Sequence, residues 1–229
     1  MGDRRNANGR LKASHNNAQM PQRNKKIRRI RPRPIRNICV YCGSNPGIKP
    51  AYLLAARTLG HCMANEGVGL VYGGGGLGLM GEIARTVLAG GGRVTGIIPE
   101  FLSVKEHMLR DATELIVVKD MHDRKKLMFD RSDAFVALPG GIGTLEELVE
   151  QLTWAQLGRH TKPIVLVNIA DFWSPLLELL MHLRREAFIR DSMEVRFITV
   201  DRAEDVLDAV HAGAEPVRPK ADAVVTEKF

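Results

Sequence analysis

From residue 38 onward, short apolar runs alternate with longer stretches in which apolar and polar residues mix. The apolar runs are ICVYC, GLVY, RVTGIIP, ELIVV, AFVAL, PIVLVN and FITV. Runs without an apolar–polar alternation are typical of parallel strands, because helices cover both faces of such a sheet. The pattern therefore predicts seven strands of a buried parallel sheet.

The stretches between these runs have helical periodicity. They are AYLLAARTLGHCMANEG, LMGEIARTVLAGG, MHDRKKLMFDRSD, TLEELVEQLTWAQLG, SPLLELLMHLRREAF and AEDVLDAVHAG. Residues 100–111 lack this periodicity and are predicted to be a loop. Strands that alternate with helices indicate βαβ units. We therefore expect an α/β fold, a Rossmann-like doubly wound parallel sheet with helices on both faces.

Charge divides the chain into a basic arm and a mildly acidic domain. Residues 1–37 hold 12 Lys and Arg against one acid, Asp3, for a net charge of +11. The whole chain has +7, which leaves −4 for residues 38–229. The arm has no apolar periodicity and cannot offset its ordering entropy by burial. We expect a disordered arm at 1–36, a catalytic nucleotide-binding domain at 37–213 and a loose tail at 214–229.

The arm has two interpretations. Its positive charge could contact RNA, DNA or an acidic surface. The alternative, which we favour, is a solvated tail, because the arm has no aromatic residues on which bases could stack. No apolar run reaches the ~18 residues of a membrane-spanning helix, and no secretory h-region precedes the domain. We expect a cytoplasmic protein without membrane contact.

Cysteine usage argues against disulfides and against a zinc site. The chain has three cysteines, an odd number. Cys39 and Cys42 form a C-V-Y-C motif inside a predicted strand, where residues three apart point to opposite faces. We expect both to be buried structural residues.

Three predicted loops leave strands through small residues. They are Gly43-Ser44, the range 73–78 and the range 139–144. Ligands of open parallel sheets bind beyond the carboxyl ends of the strands. We therefore expect the three loops to line one crevice.

The second loop, YGGGGLGLMG, contains G-x-G-x-x-G twice, at Gly73/Gly75/Gly78 and at Gly76/Gly78/Gly81. Such glycines let backbone N–H groups approach a phosphate. Glu100 follows at roughly the ~20-residue offset of a ribose-binding acid. We predict a phosphate site at this loop, and a tight turn without ligand is the alternative.

The third loop runs into a helix through PGGIGTLEE, residues 139–147. Thr144 and Glu147 match the T-x-x-E capping box, in which both side chains cap the helix. The same carboxylates at the mouth of a crevice could stabilise a developing cation or orient a water. That is the chemistry of breaking a glycosidic bond through an oxocarbenium-like state.

The stretch MHDRKKLM brings an arginine to an apolar helix face. Met121, Arg124 and Met128 lie on one side of a helix by their spacing, and that side should face the sheet. Arg124 could form an ion pair with Asp120 or extend its charge outward. It could also direct its guanidinium into the crevice, toward a phosphate or a base.

Together these motifs resemble the LOG (Lonely Guy) family. The matching segments are CVYCGS, YGGGGLGLMGEIA, MHDRKKLM, PGGIGTLEE and TWAQLG, and the resemblance covers about residues 37–211. Members are cytokinin riboside 5′-monophosphate phosphoribohydrolases, long mislabelled lysine decarboxylases. The resemblance implies a Rossmann-like homodimer, without cofactor or metal, that hydrolyses nucleoside 5′-monophosphates to a base and ribose 5-phosphate.

By matching position, the resemblance implies Arg124 and Glu147 as the catalytic pair. It implies substrate contacts from Gly43, Ser44, Gly74, Gly75, Met80, Glu106, Arg124, Lys125, Gly140, Gly141, Ile142, Gly143, Thr144, Leu145, Glu146, Glu147 and Thr153. The expected substrate is AMP or an N6-substituted AMP.

Two other functions compete with this one. A dinucleotide-dependent oxidoreductase would use the glycine-rich loop and Glu100. A non-catalytic nucleotide-binding or carrier protein would use the basic arm as its interaction module. A decarboxylase has little support, because no lysine stands in a recognisable pyridoxal-phosphate context.

Overall fold

A computed structural model of the chain describes residues 34–103, 107–189 and 196–214. The predicted strands all form. They are β1 (Asn37–Tyr41), β2 (Gly69–Tyr72), β3 (Val94–Pro99), β4 (Glu114–Val118), β5 (Ala134–Ala137), β6 (Ile164–Val167) and β7 (Ile198–Val200). Every strand pair is parallel. The predicted parallel sheet is confirmed.

The predicted helices also form between the strands. They are α1 (Pro50–Asn65), α2 (Gly78–Ala89), α4 (Met121–Asp130), α5 (Ile142–Gln156), α6 (Ser174–Arg185) and α7 (Val206–Ala214). The loop predicted for residues 100–111 is partly wrong, because Glu100–Ser103 forms a one-turn helix, α3. Single 3₁₀ turns at Ile169–Asp171 and Ala203–Asp205 precede α6 and α7.

The strand order is β4-β3-β2-β1-β5-β6-β7. The chain builds outward from β1 to β4 and then returns to place β5 on the other side of β1. The order therefore reverses between β1 and β5, and ligands of doubly wound sheets bind at such a point.

Two apolar layers cover the sheet, as predicted for a doubly wound fold. One face packs against α1, α2 and α7, with Leu59, Ile83 and Val210 in its core. The other packs against α4, α5 and α6, with Met128 and Leu148 in its core.

The two cysteines of the C-V-Y-C motif are buried free thiols. Cys39 belongs to the layer of α4, α5 and α6, and Cys42 to the opposite layer. Their side chains diverge across the sheet, which confirms the structural interpretation of this motif.

Parts of three expectations lie outside the described residues. They concern residues 1–33 of the arm, residues 215–229 of the tail, and Glu106. The described chain contains no helix that is long and apolar enough to span a membrane.

Candidate active site

Gly43 joins the three glycine-containing loops at the carboxyl edge of the sheet. Its N–H donates to the carbonyl of Pro139 at 3.0 Å, which links the loop after β1 to the loop after β5. Its own carbonyl accepts from the N–H groups of Leu79 (3.0 Å) and Met80 (3.2 Å), which links it to the first turn of α2. The expectation that these loops come together is confirmed.

Some N–H groups of the loop after β2 and of the first turn of α2 are bonded within the protein. In addition to the two α2 donors held by Gly43, the N–H of Gly76 donates to the carbonyl of His107 at 2.9 Å. Gly75 forms an isolated antiparallel bridge with Met108. These contacts occupy the N–H groups of Gly76, Leu79 and Met80, and the phosphate site at this loop stays a prediction.

Two glycines of this loop are required by close approaches. Gly78 has a left-handed backbone (φ +56°), and a Cβ there would overlap the backbone of Ser44. A Cβ on Gly73 would overlap the guanidinium of Arg124. The guanidinium of Arg124 can therefore occupy this position only because residue 73 has no side chain.

Arg124 extends from α4 into the edge of the sheet and is only 6% exposed. Its Nη2 donates to the carbonyl of Gly73 at 3.3 Å and lies 3.8 Å from Oε1 of Glu147. The alternative ion pair with Asp120 is not what forms, because Asp120 caps α4 by accepting from the N–H groups of His122 and Asp123. The prediction that Arg124 lies on the buried helix face is confirmed.

Glu147 lies in the second turn of α5 and is 8% exposed. The helix begins at Ile142, and its N-cap is Gly141, which has no side chain to cap with. The capping box predicted at Thr144 is therefore wrong. Thr144 is the third helical residue and packs against Gly140, where a Cβ would overlap its side chain. The carboxylate of Glu147 lies 3.8 Å from the guanidinium of Arg124.

The groups beneath this pair are uncharged. Burial, and then the negative charge of Glu147, raise the pKa of the Cys39 thiol. Burial, and then nearby negative charge that includes Glu147, also raise the pKa of the Tyr41 phenol. Both groups stay protonated at neutral pH, so they do not compete with Glu147 as bases.

A second set of charges lies beside the first. Nζ of Lys125 contacts Oε1 of Glu146 at 2.5 Å and Oε1 of Glu150 at 3.0 Å. Burial lowers the pKa of Lys125, but the hydrogen bonds to these two carboxylates raise it more, and the pKa lies above its ordinary value. Glu150 was not among the predicted residues, although its spacing from Glu146 on a helix (i, i+4) could have indicated it.

The loops and helix starts that carry most of the predicted substrate contacts meet at one edge of the sheet, where Gly43 bonds to Pro139 and Met80. These predicted residues are Gly43, Ser44, Gly74, Gly75, Met80 and the range 140–147, and Arg124 reaches the same edge at Gly73. Thr153 does not lie there. It is exposed, its Oγ1 donates to the carbonyl of Val149, and it is about 9 Å farther along α5 than Glu147.

No group of three or more metal-binding side chains occurs within the ranges that the structure describes. The polar groups of the site include the guanidinium of Arg124, carboxylates, hydroxyl groups and backbone N–H groups. This set suits an anionic organic ligand whose reaction develops positive charge.

Comparisons with known proteins agree on one family. A family described as "Possible lysine decarboxylase" matches residues 80–210, more than half of the chain. The chain is 43% identical over 183 residues to a cytokinin riboside 5′-monophosphate phosphoribohydrolase of Rhodococcoides fascians, covering 80% of this chain and 92% of that protein. It is 44% identical over 172 residues to an enzyme of the same name from Arabidopsis thaliana, covering 75% and 80%.

A solved structure has the same fold. The molybdenum cofactor binding protein of Rippkaea orientalis superimposes with a TM-score of 0.59 at 23% identity, covering 79% of this chain and 98% of that one. At that identity the likeness concerns the fold alone. The family match and the two named relatives carry the assignment, and the chain belongs to the LOG family of cytokinin riboside 5′-monophosphate phosphoribohydrolases.

Proposed function

We propose that this chain hydrolyses the N-glycosidic bond of AMP or an N6-substituted AMP. The observation that carries the proposal is the buried pair of Arg124 and Glu147 beside the first turn of α5, in a chain whose relatives bear that enzyme's name. In the reaction, water adds to C1′ of the ribose and the bond from C1′ to the base breaks. The proton lost by the water ends on the base, and the other product is ribose 5-phosphate.

The first turn of α5 is the better phosphate site of the two glycine-rich loops. At α2, Gly43 already accepts two of the first N–H groups. At α5, Gly141 offers no side-chain cap to the N–H groups of Ile142 and Gly143. A helix N-terminus with uncapped N–H groups binds anions. A 5′-phosphate bound there places the ribose near the second turn of the helix, where Glu147 lies.

Glu147 stabilises the ribosyl cation as the base departs, or orients the attacking water. Its burial strengthens both effects, because a charge acts more strongly where water is excluded. Cys39 and Tyr41 remain neutral, so they add no charge of their own beside Glu147.

Arg124 holds the substrate and supports the leaving base. A guanidinium has five N–H donors and remains charged in proteins. Nη2 is engaged with Gly73, whereas the Nε–H of Arg124 is buried without a hydrogen-bond partner among the described residues. An acceptor nitrogen of the base, or an oxygen of the ribose, would supply the missing acceptor.

Exposed apolar side chains on the three glycine-containing loops support an N6 substituent. Ile48, Leu77 and Ile142 are exposed, and they belong to the loops after β1, β2 and β5. An alkyl chain on N6 would bury part of this apolar surface, which stabilises the complex.

We also propose a homodimer that acts in the cytoplasm. Ile142, Val149 and Thr153 lie on the exposed side of α5, where a second subunit would cover the apolar residues. Thr153 could then contact substrate only in the partner's site. The free thiols at Cys39, Cys42 and Cys62 suit a reducing compartment.

The test is incubation of the purified chain with AMP and with adenosine, followed by detection of free adenine. We expect AMP to be cleaved and adenosine to react about 10²-fold less efficiently. Two charge-assisted hydrogen bonds to phosphate are worth about 3 kcal/mol together, and about 1.4 kcal/mol corresponds to tenfold. Equal turnover of AMP and adenosine would contradict the proposed phosphate contact. Release of no adenine from any nucleotide would contradict the proposed enzymatic activity.

A thermal-shift measurement with NAD and with AMP tests the oxidoreductase alternative. In a dinucleotide fold the glycine-rich turn follows the first strand, at the switch point, whereas here it follows β2, one strand away. We expect no thermal shift with NAD under conditions where AMP gives one.

A further inference from the structure

Adjacent residues of α4 form ion pairs with adjacent residues of α5. Arg124 faces Glu147, and Lys125 faces Glu146 and Glu150. The Lys125 contacts are short (2.5 and 3.0 Å), whereas the Arg124–Glu147 contact is long (3.8 Å). The tight ion pairs thus lie immediately beside the loose one.

The ammonium of Lys125 is committed to these carboxylates. Its side chain is 12% exposed, and two of its three N–H donors have a carboxylate oxygen within hydrogen-bond distance. A substrate phosphate could accept from the third N–H donor alone, unless it displaced one of these short contacts. In the described structure this residue is therefore better suited to join the two helices than to contact substrate.

The carboxylates in turn require a cation between them. Glu146, Glu147 and Glu150 lie within five residues of α5, and like charges at such spacings repel each other. The side chain of Glu150 is 21% exposed, and its Oε2 is buried with no hydrogen-bond partner among the described residues. Without Lys125, this carboxylate would turn toward water or toward Arg124, and α5 would shift relative to α4.

We propose that Lys125 is a positioning residue, which fixes α4 against α5 through Glu150 and Glu146 so that Arg124 and Glu147 keep their catalytic distance. This inference rests on the proposed function, because it assigns a residue to that reaction. It differs from the role that the family resemblance implies for Lys125, which is direct contact with the substrate.

The test compares Lys125→Met with Lys126→Met and measures kcat and KM for adenine release from AMP. Lys126 is the next residue of α4, is exposed and pairs only locally with Asp130, so it controls for the loss of one positive charge. We expect Lys125→Met to lower kcat by about 10–10²-fold, the cost of a misplaced catalytic group. KM should stay within about twofold, and Lys126→Met should match the wild type.

A double-mutant cycle with Glu150→Gln completes the test. A positioning role predicts that Glu150→Gln also lowers kcat, and that the double variant is no worse than Lys125→Met, because both changes break the same contact. Should Lys125→Met fail to fold, Glu150→Gln alone still decides by its effect on kcat and KM. A raised KM for Lys125→Met with kcat unchanged, or an unaltered Glu150→Gln, would overturn the positioning role and leave the enzyme proposal standing. A wild-type chain that releases no base from any nucleotide would remove both proposals.

Discussion

The carboxylate of Glu147 contacts a buried guanidinium, and this contact changes what its removal should do. It lies in the second turn of α5, past the first turn in which a helix dipole acts most strongly. Its contact with Arg124 contributes to stability, and the N-cap of the helix is Gly141. The contribution of Glu147 to catalysis comes from its charge. Gln has nearly the same shape as Glu but carries no charge.

Glu147→Gln should therefore fold and lose most of its activity. Electrostatic groups of this kind contribute about 10²–10³ to turnover, and the weakened contact with Arg124 should cost on the order of 1–2 kcal/mol of stability. Adenine release and thermal melting measure the two effects separately. Glu82→Gln is the matched control, because Glu82 pairs with Arg57 on a helix of the opposite layer. If Glu147→Gln retained more than about a tenth of wild-type turnover, the carboxylate would lower the activation free energy by less than ~1.4 kcal/mol. That result would contradict its catalytic role.

The sequence predicts which face Arg124 occupies but does not predict its partner. Spacing from Met121 and Met128 is a local property of one helix, and the structure confirms it. The partner, Glu147, is 23 residues away and belongs to another helix, whereas Asp120 is close in sequence and is instead the helix cap. The capping motif misleads for a similar reason, because Ile142 and Gly143 can be helical and α5 starts before Thr144.

At the scale of elements, His160 connects the end of α5 to the start of β6. Its Nε2–H donates to the carbonyl of Gln151 at 3.2 Å, and its Nδ1 accepts from the N–H of Lys162 at 3.2 Å. The ring is buried between Phe129 and Phe135. Both ring nitrogens are thus engaged in the neutral form, and a second proton would break the contact to Lys162.

The stability of the fold should therefore fall in mild acid. Burial, the largest effect, lowers the pKa of His160 below its ordinary value of 6.5, so the unfolded chain binds the proton more tightly than the folded one. Stability from this group is complete above about pH 6.5 and is lost as pH falls below that value toward the folded pKa. Urea unfolding from pH 8 to pH 5 measures it. His160→Gln should flatten the dependence, whereas the exposed His182→Gln should not.

Which elements form could be predicted, but their order in the sheet could not. Apolar runs and helical periodicity are local signals, and all seven predicted strands and six predicted helices form. The order β4-β3-β2-β1-β5-β6-β7 depends on where the chain crosses between faces, which no single run encodes. The binding properties of the loops are equally non-local. The α2 N-terminus carries the glycine motif, yet the carbonyl of Gly43, from another loop, takes two of its N–H groups.

For the whole molecule, the exposed side of α5 predicts a subunit interface. Val149 is 43% exposed there, and Ile142 is 82% exposed on the same side. Val149→Asp should shift the protein from dimer to monomer in light scattering, because a buried unpaired charge is costly at an interface. Leu54→Asp, which charges another exposed apolar residue on α1, should leave the mass unchanged. A wild-type monomer at micromolar concentration would contradict the interface.

The proposed dimer also bears on Thr153. The resemblance implies that this residue contacts substrate, yet it lies on the exposed side of α5 in its own subunit. If it acts in the partner's site, the monomer formed by Val149→Asp should also lose activity. The sequence supports the contact through TWAQLG but cannot indicate which subunit receives it.

Truncation of the basic arm tests whether stability and turnover depend on residues outside the catalytic domain. The relatives from Rhodococcoides fascians and Arabidopsis thaliana match 80% and 75% of this chain, and the motifs of the site begin only at Cys39. Removal of residues 1–33 should therefore leave melting temperature and AMP turnover nearly unchanged.

Residues 1–33 hold 11 Lys and Arg, so any affinity for nucleic acid should come from phosphate contacts. If 6–10 of these side chains each neutralise a phosphate, affinity should fall about 10³–10⁵-fold between 50 and 200 mM salt. That affinity should vanish on truncation, and gel shifts over this salt range measure it. Loss of turnover in the truncated chain would show instead that the arm supports the catalytic domain.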